Sequence, residues 1–314
     1  MSLTATTTMT TSTKHGTLIV VVGPTGSGKS ALAVELAKHY AAPIISTDSR
    51  QFYRGMAIGT AQPTAEELSA AKHYFIADRS PELEFNCGRY EAEALALLDE
   101  LFSVNRYVVA VGGSGLYIQA LCEGMDDLPE ADEALRATLK ERLEREGIDA
   151  LAMQLRELDP EYAAKADMQN PARVMRALEV CLTSGRRYSE LRHGDIAERP
   201  FHIVKVGTDM PRDTLYERIN RRVDMMVEEG LVAEVESLAH LRNLNALQTV
   251  GYREIFEYLD GNITLDEAIE LVKRNSRRYA KRQMTWFRRD AEIGWFSPNA
   301  LSDIISFIDG KSEQ

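Results

Sequence analysis

Leu18-Ile-Val-Val-Val22 runs without a break into Gly23-Pro-Thr-Gly-Ser-Gly-Lys-Ser30, and Ala31 to Tyr40 follows with helical composition. The segment from Gly23 to Ser30 matches G-x-x-x-x-G-K-[ST], the phosphate-binding loop, in full. A short β-branched run reads as a buried strand, so the loop joins a strand to a helix and places its backbone N–H groups at a helix N-terminus, where an anion collects. Gly23, Gly26 and Gly28 permit the tight turn, Lys29 reaches phosphate oxygens, and the Ser30 hydroxyl suits Mg²⁺. A nucleotide such as ATP is the usual ligand of such a loop. A Gly-rich turn with no ligand is the competing reading, and the flanking strand and helix weigh against it.

The chain has 314 residues, long for one compact core, so one large domain with an elaboration or two domains is expected. Its longest apolar runs, near Leu18 and Val108, are about five residues, far short of the roughly twenty that span a bilayer. A soluble protein with no membrane contact is therefore expected; cytoplasmic residence and a monomeric state are expected as well. Residues 1–16 carry seven threonines and no apolar core, the composition of a disordered tail rather than of a secretory signal. Cys87, Cys122 and Cys181 stand far apart and form neither a metal pair nor a disulfide framework. The histidines show no metal-ligand spacing.

A net charge of −11 argues against a generally basic, sequence-indifferent nucleic-acid binder. It leaves room for a local basic site. Lys273, Arg274, Arg277, Arg278, Lys281, Arg282, Arg288 and Arg289 follow one another with no acid before Asp290. At helical spacing several of them share one face, a stripe suited to a phosphate backbone; a solvated helix face is the alternative.

Further strands are expected at Pro43–Thr47, Tyr74–Ala77, Tyr107–Val111 and His202–Val206. Strands alternating with helices imply an α/β fold: a P-loop-type parallel sheet with helices on both faces. The pattern changes between Cys122 and Pro200. Glu130 to Glu146 places Leu135, Leu139 and Leu143 on one stripe with Gly147 closing the helix, and Pro171 to Thr183 does the same with Val174, Leu178 and Cys181. We read 125–200 as an inserted helical subdomain and 17–124 with 201–314 as the core. Helices resume over Asp213–Glu229, Leu231–Leu241 and Asp266–Arg289.

Kinases and hydrolases of this class normally place an acidic Mg²⁺ ligand at the end of a second apolar strand. Here Tyr107–Val111 ends in Gly112-Gly113-Ser114. The nearest acid at a strand end is Asp48, after Ile44-Ile45-Ser46-Thr47, where it suits a metal ligand, a general base or a turn residue. The guanine-reading N-K-x-D is absent.

The blocks that follow are specific. Asp48-Ser-Arg-Gln-Phe-Tyr-Arg-Gly-Met-Ala-Ile-Gly-Thr-Ala-Gln-Pro63 closely resembles the segment after the second strand in the tRNA dimethylallyltransferases. Val111-Gly-Gly-Ser-Gly-Leu-Tyr117, Gln169-Asn-Pro-Ala-Arg173 with Arg176-Ala-Leu-Glu179, Arg218-Ile-Asn-Arg-Arg-Val-Asp224, Thr249-Val-Gly-Tyr-Arg-Glu254 and Ala280-Lys-Arg-Gln-Met-Thr-Trp-Phe-Arg288 follow in family order. The resemblance spans Leu18 to Arg289. Ala57 and Gln62 depart from it, standing where an acid and a lysine are common.

This resemblance implies transfer of a dimethylallyl group from dimethylallyl diphosphate to the exocyclic amine of the adenosine 3′ of the anticodon in tRNA, with Mg²⁺ as cofactor and the tRNA anticodon stem-loop as partner. It implies that Gly23, Thr25, Gly26, Ser27, Gly28, Lys29 and Ser30 hold the diphosphate, with Ser30 on the metal. Asp48 becomes the general base and Ser114 a contact to the amine, with a simple Gly-Gly-Ser-Gly turn as the alternative. Arg222 becomes the arginine on the leaving group, with Arg218 as substitute and a surface cation as the alternative. The tRNA would meet Asp48, Ser49, Arg50, Gln51, Ser114, Gln248, Thr249, Val250, Gly251, Tyr252 and Arg253 on the core. From the insertion it would meet Arg136, Gln169, Asn170, Pro171, Ala172 and Arg173, and from the basic helix Arg277, Arg278 and Lys281. Tyr53, Tyr117, Tyr252 and Trp286 are aromatics for base stacking or for the core. Rival readings are an adenylate isopentenyltransferase using free nucleotide, a small-molecule kinase, and a non-catalytic RNA-binding protein.

Overall fold

The structure, a computed structural model, describes residues 16–126, 128–130 and 132–312. The expected tail, residues 1–16, lies outside the described residues apart from Gly16. Among the described residues six parallel strands form one sheet: β1 (Thr17–Val22), β2 (Ile44–Ser46), β3 (His73–Tyr74), β4 (Tyr107–Gly112), β5 (His202–Thr208) and β6 (Gly294–Phe296), in the order β3-β2-β4-β1-β5-β6. β1 is buried along its whole length because β4 and β5 pair with its two edges and helices cover both faces. A strand in that position has no wet side, which is why its sequence is an unbroken apolar run.

The pleat sorts its side chains. Leu18, Val20 and Val22 pack with Tyr90 and Leu98 of the Cys87–Phe102 helix, and with Leu231 and Phe256 from the C-terminal half. Ile19 and Val21 meet Leu32 and Leu36 of the Lys29–Tyr40 helix and Ile304 and Ile308 of the Leu301–Ser312 helix.

The structure departs from the sequence expectations in several places. The run Tyr74–Ala77 contributes only His73–Tyr74 to the sheet, since Phe75 and Ala77 take positive φ of 60° and 47° and turn the chain away. Phe75 instead joins a ring cluster with Phe52 and Tyr90. Leu231–Leu241 is a helix only to Ser237, followed by a single 3₁₀ turn at Ala239–Leu241. β6 is a three-residue edge strand, too short to carry a periodic signal.

The chain divides into two compact units: one runs to Cys122 and resumes at Glu198, and the other is Glu123–Ala197. The second unit has its own core of Leu139, Leu151, Leu155, Val174, Ala177, Leu178 and Cys181, from the helices Glu133–Glu146, Ile148–Leu158 and Pro171–Ser184. The first of these starts three residues later than its composition suggested because the Asp132 side chain accepts from Leu135 N at 3.0 Å and caps it there. Gly147 follows it at φ 78°.

Asp159 is fully buried in this unit, where its carboxylate accepts from Tyr162 N at 3.0 Å, Ser189 N at 2.7 Å and Ser189 Oγ at 2.8 Å. Burial pushes its pKa up, yet these hydrogen bonds outweigh it and hold the carboxyl below its ordinary value. Its contribution is thus complete above the ordinary aspartate pKa and is lost as pH falls through the lower native value. Asp159→Ala should cost about 3 kcal/mol, since it removes a cap and leaves buried donors unpaired. Urea unfolding followed by circular dichroism tests this; a midpoint unchanged by the substitution would refute the assignment.

Candidate active site

β2, β4 and β1 are neighbours, and their register pairs Val22 with Gly112 and Ser46 with Val111. Their carboxyl ends therefore stop at one level, and the segments that follow must converge: the Gly23–Ser30 loop, Asp48, and Gly113-Ser114. In open parallel sheets this edge is where ligands bind. A cavity of about 370 Å³ opens there, lined by Thr25, Lys29, Ser30, Asp48, Arg222 and residues of several further segments.

The loop curls because Gly26 and Gly28 adopt φ of 82° and 89°, a conformation nearly closed to other residues. Gly23 has a different reason: a Cβ there would lie 2.1 Å from Thr208 Oγ1, at the end of β5. Thr208 also hydrogen-bonds Ser27 Oγ at 2.6 Å. The Ser27 hydroxyl, expected on the diphosphate, is therefore fully buried and turned toward the sheet. Thr25 N donates to Gln283 Oε1 at 2.8 Å, while Gln283 Nε2 donates to Gly113 O at 2.9 Å. Gln283 thus ties the loop after β1 to the loop after β4. Sequence reading overlooked it because it stands among cations, although a glutamine on a basic stripe is itself a signal.

Lys29 Nζ lies 3.4 Å from Pro24 O, and its pKa falls from 10.5 to about 8. Desolvation is the main cause; the nearby Asp48 carboxylate offsets part of it and the Arg222 guanidinium adds to it. Desolvation also lowers Arg222, whose Nη1 donates to Thr25 Oγ1 at 3.2 Å. Arg218 and Arg221 are exposed and do not line the cavity. Two desolvated cations at a helix N-terminus, whose dipole is also positive, make a site short of negative charge. The ligand that relieves it is an anion.

Asp48 faces the same cavity, and its backbone explains its position: Asp48 Oδ1 accepts from Arg50 N at 3.0 Å and Asp48 N donates to Ser46 Oγ at 3.2 Å. The turn role and the cavity position coexist in one residue. Ser114 lies behind this turn, only 9% exposed; its Oγ accepts from Ser49 N at 3.0 Å and donates to Ser49 Oγ. It does not line the cavity. Tyr279 does, hydrogen-bonded with Ser114, and burial raises its phenol to about 12, so it stays protonated.

Ser49, Arg50, Gln51, Gln248, Thr249, Val250, Gly251 and Arg253 also face the cavity. Tyr252 does not: it is fully buried, with its phenol donating to Glu234 Oε1 at 2.7 Å. An apolar wall of Ile219, Val223, Met226, Leu231 and Val272 completes the lining, unforeseen because in sequence these residues read only as core.

The basic stripe lies on the Leu265–Phe287 helix. Arg274, Arg278, Lys281 and Arg282 are exposed along one face at i, i+4, i+7 and i+8, and Arg282 also lines the cavity. Arg277 is turned aside, donating to Asn220 Oδ1 at 2.5 Å, and Lys273 pairs with Asp224 at 2.8 Å. Of the aromatics, Tyr53 and Tyr252 are core, Tyr117 is half-buried against Phe52 and Tyr90, and Trp286 is 39% exposed. Gln62 Nε2 donates to the carbonyls of Gln51 and Tyr53, so this departure serves the loop backbone.

Within the second unit, Arg136 pairs with the buried Glu179 at 3.1 Å and Gln169 Nε2 donates to Asp149 at 3.2 Å. Asn170 caps the Pro171–Ser184 helix, and Pro171, Ala172 and Arg173 are exposed on its first turn.

Sheet, loop and cavity define a P-loop-type α/β protein whose site is short of negative charge. The family model described as "IPP transferase" matches residues 51–290. The chain is 49% identical over 297 residues to a tRNA dimethylallyltransferase of Cytophaga hutchinsonii, covering 95% of this chain and 98% of that one. With tRNA dimethylallyltransferase 1 of Bacteroides fragilis it shares 47% identity, over 93% of this chain and 97% of the other. Its fold matches the tRNA isopentenylpyrophosphate transferase of Bacillus halodurans with a TM-score of 0.71 at 41% identity, covering 96% and 97% of the two chains. A eukaryotic dimethylallyltransferase acting on tRNA matches with a TM-score of 0.77 at 25% identity, covering 94% of this chain and 77% of that one. This chain belongs to the IPP transferase family.

The unfolded chain keeps the Lys29 proton up to pH 10.5, whereas the native chain releases it near 8, so native stability rises with pH between those values. At pH 7 the charge therefore costs stability while no anion is bound. Lys29→Met should raise the melting temperature of the ligand-free protein and weaken inorganic diphosphate about tenfold to a hundredfold. Calorimetry and melting curves check both, and wild-type affinity in the variant would contradict the site.

Proposed function

We propose that this protein transfers the dimethylallyl group of dimethylallyl diphosphate to the exocyclic amine of the adenosine 3′ of the anticodon in tRNA, releasing diphosphate. The observation that carries this reading is the cavity in which the anion-seeking pair Lys29 and Arg222 faces the carboxylate of Asp48. As the allylic carbon–oxygen bond breaks, the electron pair leaves with the diphosphate. The loop amides, Lys29 and Arg222 are fixed before that charge develops, so they stabilise the transition state more than the ground state. The adenine nitrogen bonds to the allyl carbon and its proton passes to Asp48.

Ser30 and Asp48 offer two oxygen donors in the cavity, a set that fits Mg²⁺, which binds through few protein oxygens plus substrate phosphates. When bound, the ion would neutralise charge on the diphosphate. Asp48 belongs to this set as well as facing the acceptor, so kinetics across a Mg²⁺ titration distinguish its role as base from that of metal ligand. Ser114 acts through Ser49 and Tyr279, which line the cavity, rather than by touching the amine. The tRNA reaches the cavity across Ser49–Gln51 and Gln248–Arg253, with its phosphates along Arg278 and Lys281. Pro171, Ala172 and Arg173, with Gln169 and Asn170, supply contacts from the helical unit. A free adenylate acceptor would leave the basic stripe and that unit without a task, and β4, which ends at Gly112 and is followed by Gly113-Ser114, lacks the acid a small-molecule kinase needs. The reading places the protein in the cytoplasm, where tRNA is modified.

Asp48→Asn should lower single-turnover prenylation of a tRNA anticodon stem-loop by about a hundredfold while both substrates still bind. Restoration of the rate by added Mg²⁺ would assign Asp48 to the metal instead. Replacing Arg278 and Lys281 with Gln should flatten the salt dependence of tRNA binding by about 0.7 to 0.9 for each phosphate the helix no longer neutralises. Arg277→Gln, whose guanidinium is engaged with Asn220, should leave the slope unchanged; filter binding across a salt series compares them.

A further inference from the structure

Glu234, on the Leu231–Ser237 helix, lies outside the cavity lining, yet its carboxylate collects three donors from two segments that border the cavity. Ile58 N donates to Oε2 at 2.8 Å, Gly59 N donates to Oε1 at 2.9 Å, and the Tyr252 phenol donates to Oε1 at 2.7 Å. Contact is close: a Cβ on Gly59 would lie 2.5 Å from the Tyr252 ring. The loop so held carries Gly59, Thr60 and Ala61 into the cavity wall, and Ala61 sits at φ 48°, a conformation that an alanine adopts only under outside constraint.

The loop in turn holds the residues beside the carboxylate assigned as base. Gln51 Nε2 donates to Ala61 O at 2.7 Å and to Thr60 O at 3.3 Å. Gln51 Oε1 accepts from Ser46 Oγ at 3.0 Å, and Ser46 Oγ accepts from Asp48 N at 3.2 Å. Every bond in this chain has a consistent donor and acceptor, so a rotation at one end is felt at the other. From this geometry we infer that Glu234 is a positioning residue for the reaction: with Tyr252 it clamps the loop 58–61 and through Gln51 sets the placement of Asp48. This inference rests on the transferase reading.

Glu234→Gln preserves the shape but turns one acceptor oxygen into an amide that faces a backbone donor. Amide exchange at Ile58 and Gly59 should accelerate by about tenfold or more, and kcat for prenylation of an anticodon stem-loop should fall by a similar factor, since each follows from losing a charge-assisted bond. KM for dimethylallyl diphosphate should stay within about twofold, because the phosphate loop is untouched. Tyr252→Phe leaves the carboxylate and removes one donor, and should lower kcat less; it serves if the glutamine variant does not fold. Faster exchange with unchanged kcat, or reduced kcat with unchanged exchange, would overturn the inference. A wild-type protein that fails to prenylate the stem-loop would defeat the transferase reading instead, while exchange at Ile58 and Gly59 would still judge the clamp.

Discussion

The site depends on β1 being paired in parallel on both edges. That arrangement leaves no solvent face for Leu18 to Val22 and forces the loop after the strand to one edge of the sheet. Because β4 and β2 run in the same direction beside it, their ends deliver Gly113, Ser114 and Asp48 to the same place. Parallel strands are joined only by long crossovers, so these segments are far apart in sequence and meet solely through the register.

The electrostatics of the cavity work against the empty protein. Burying Lys29 beside Arg222 at a helix N-terminus costs stability, and Asp48 offsets only part of it. The same features suit the loop to an anion, since donors that are already desolvated and oriented need no reorganisation when negative charge is placed beside them. Large apolar layers on both faces of the sheet carry the fold, so the strain can be kept at the site.

Loops around the cavity are held by polar side chains, Gln283 and Glu254 buried and Glu234 partly so, rather than by apolar packing. Gln283 joins the loops after β1 and β4, Glu254 accepts from Gly251 N and Asn275 Nδ2, and Glu234 accepts from Ile58 and Gly59. Each satisfies backbone donors or acceptors that an irregular segment would otherwise leave unpaired. Such groups give a loop one preferred geometry, which an apolar contact of similar area does not.

Much of this was legible in the amino-acid sequence. The unbroken apolar run into Gly23–Ser30 determined a buried strand, a phosphate loop and a helix, because each rests on local chemistry: β-branched packing, glycine conformations and a helix terminus. The amphipathic stripes through Leu139 and Val174 likewise announced a separate helical core. Only the tertiary structure decided which side chains face the cavity. Arg222 reaches the cavity and Arg218 does not, Tyr252 turns inward to Glu234, Ser27 bonds Thr208, and Arg277 turns to Asn220 while Arg278 stays exposed. These outcomes depend on partners from other elements of the fold or on which arc of a helix meets its neighbour. Residue type and spacing carry the period of a helix but not its phase against the rest of the protein, and that phase is set by packing.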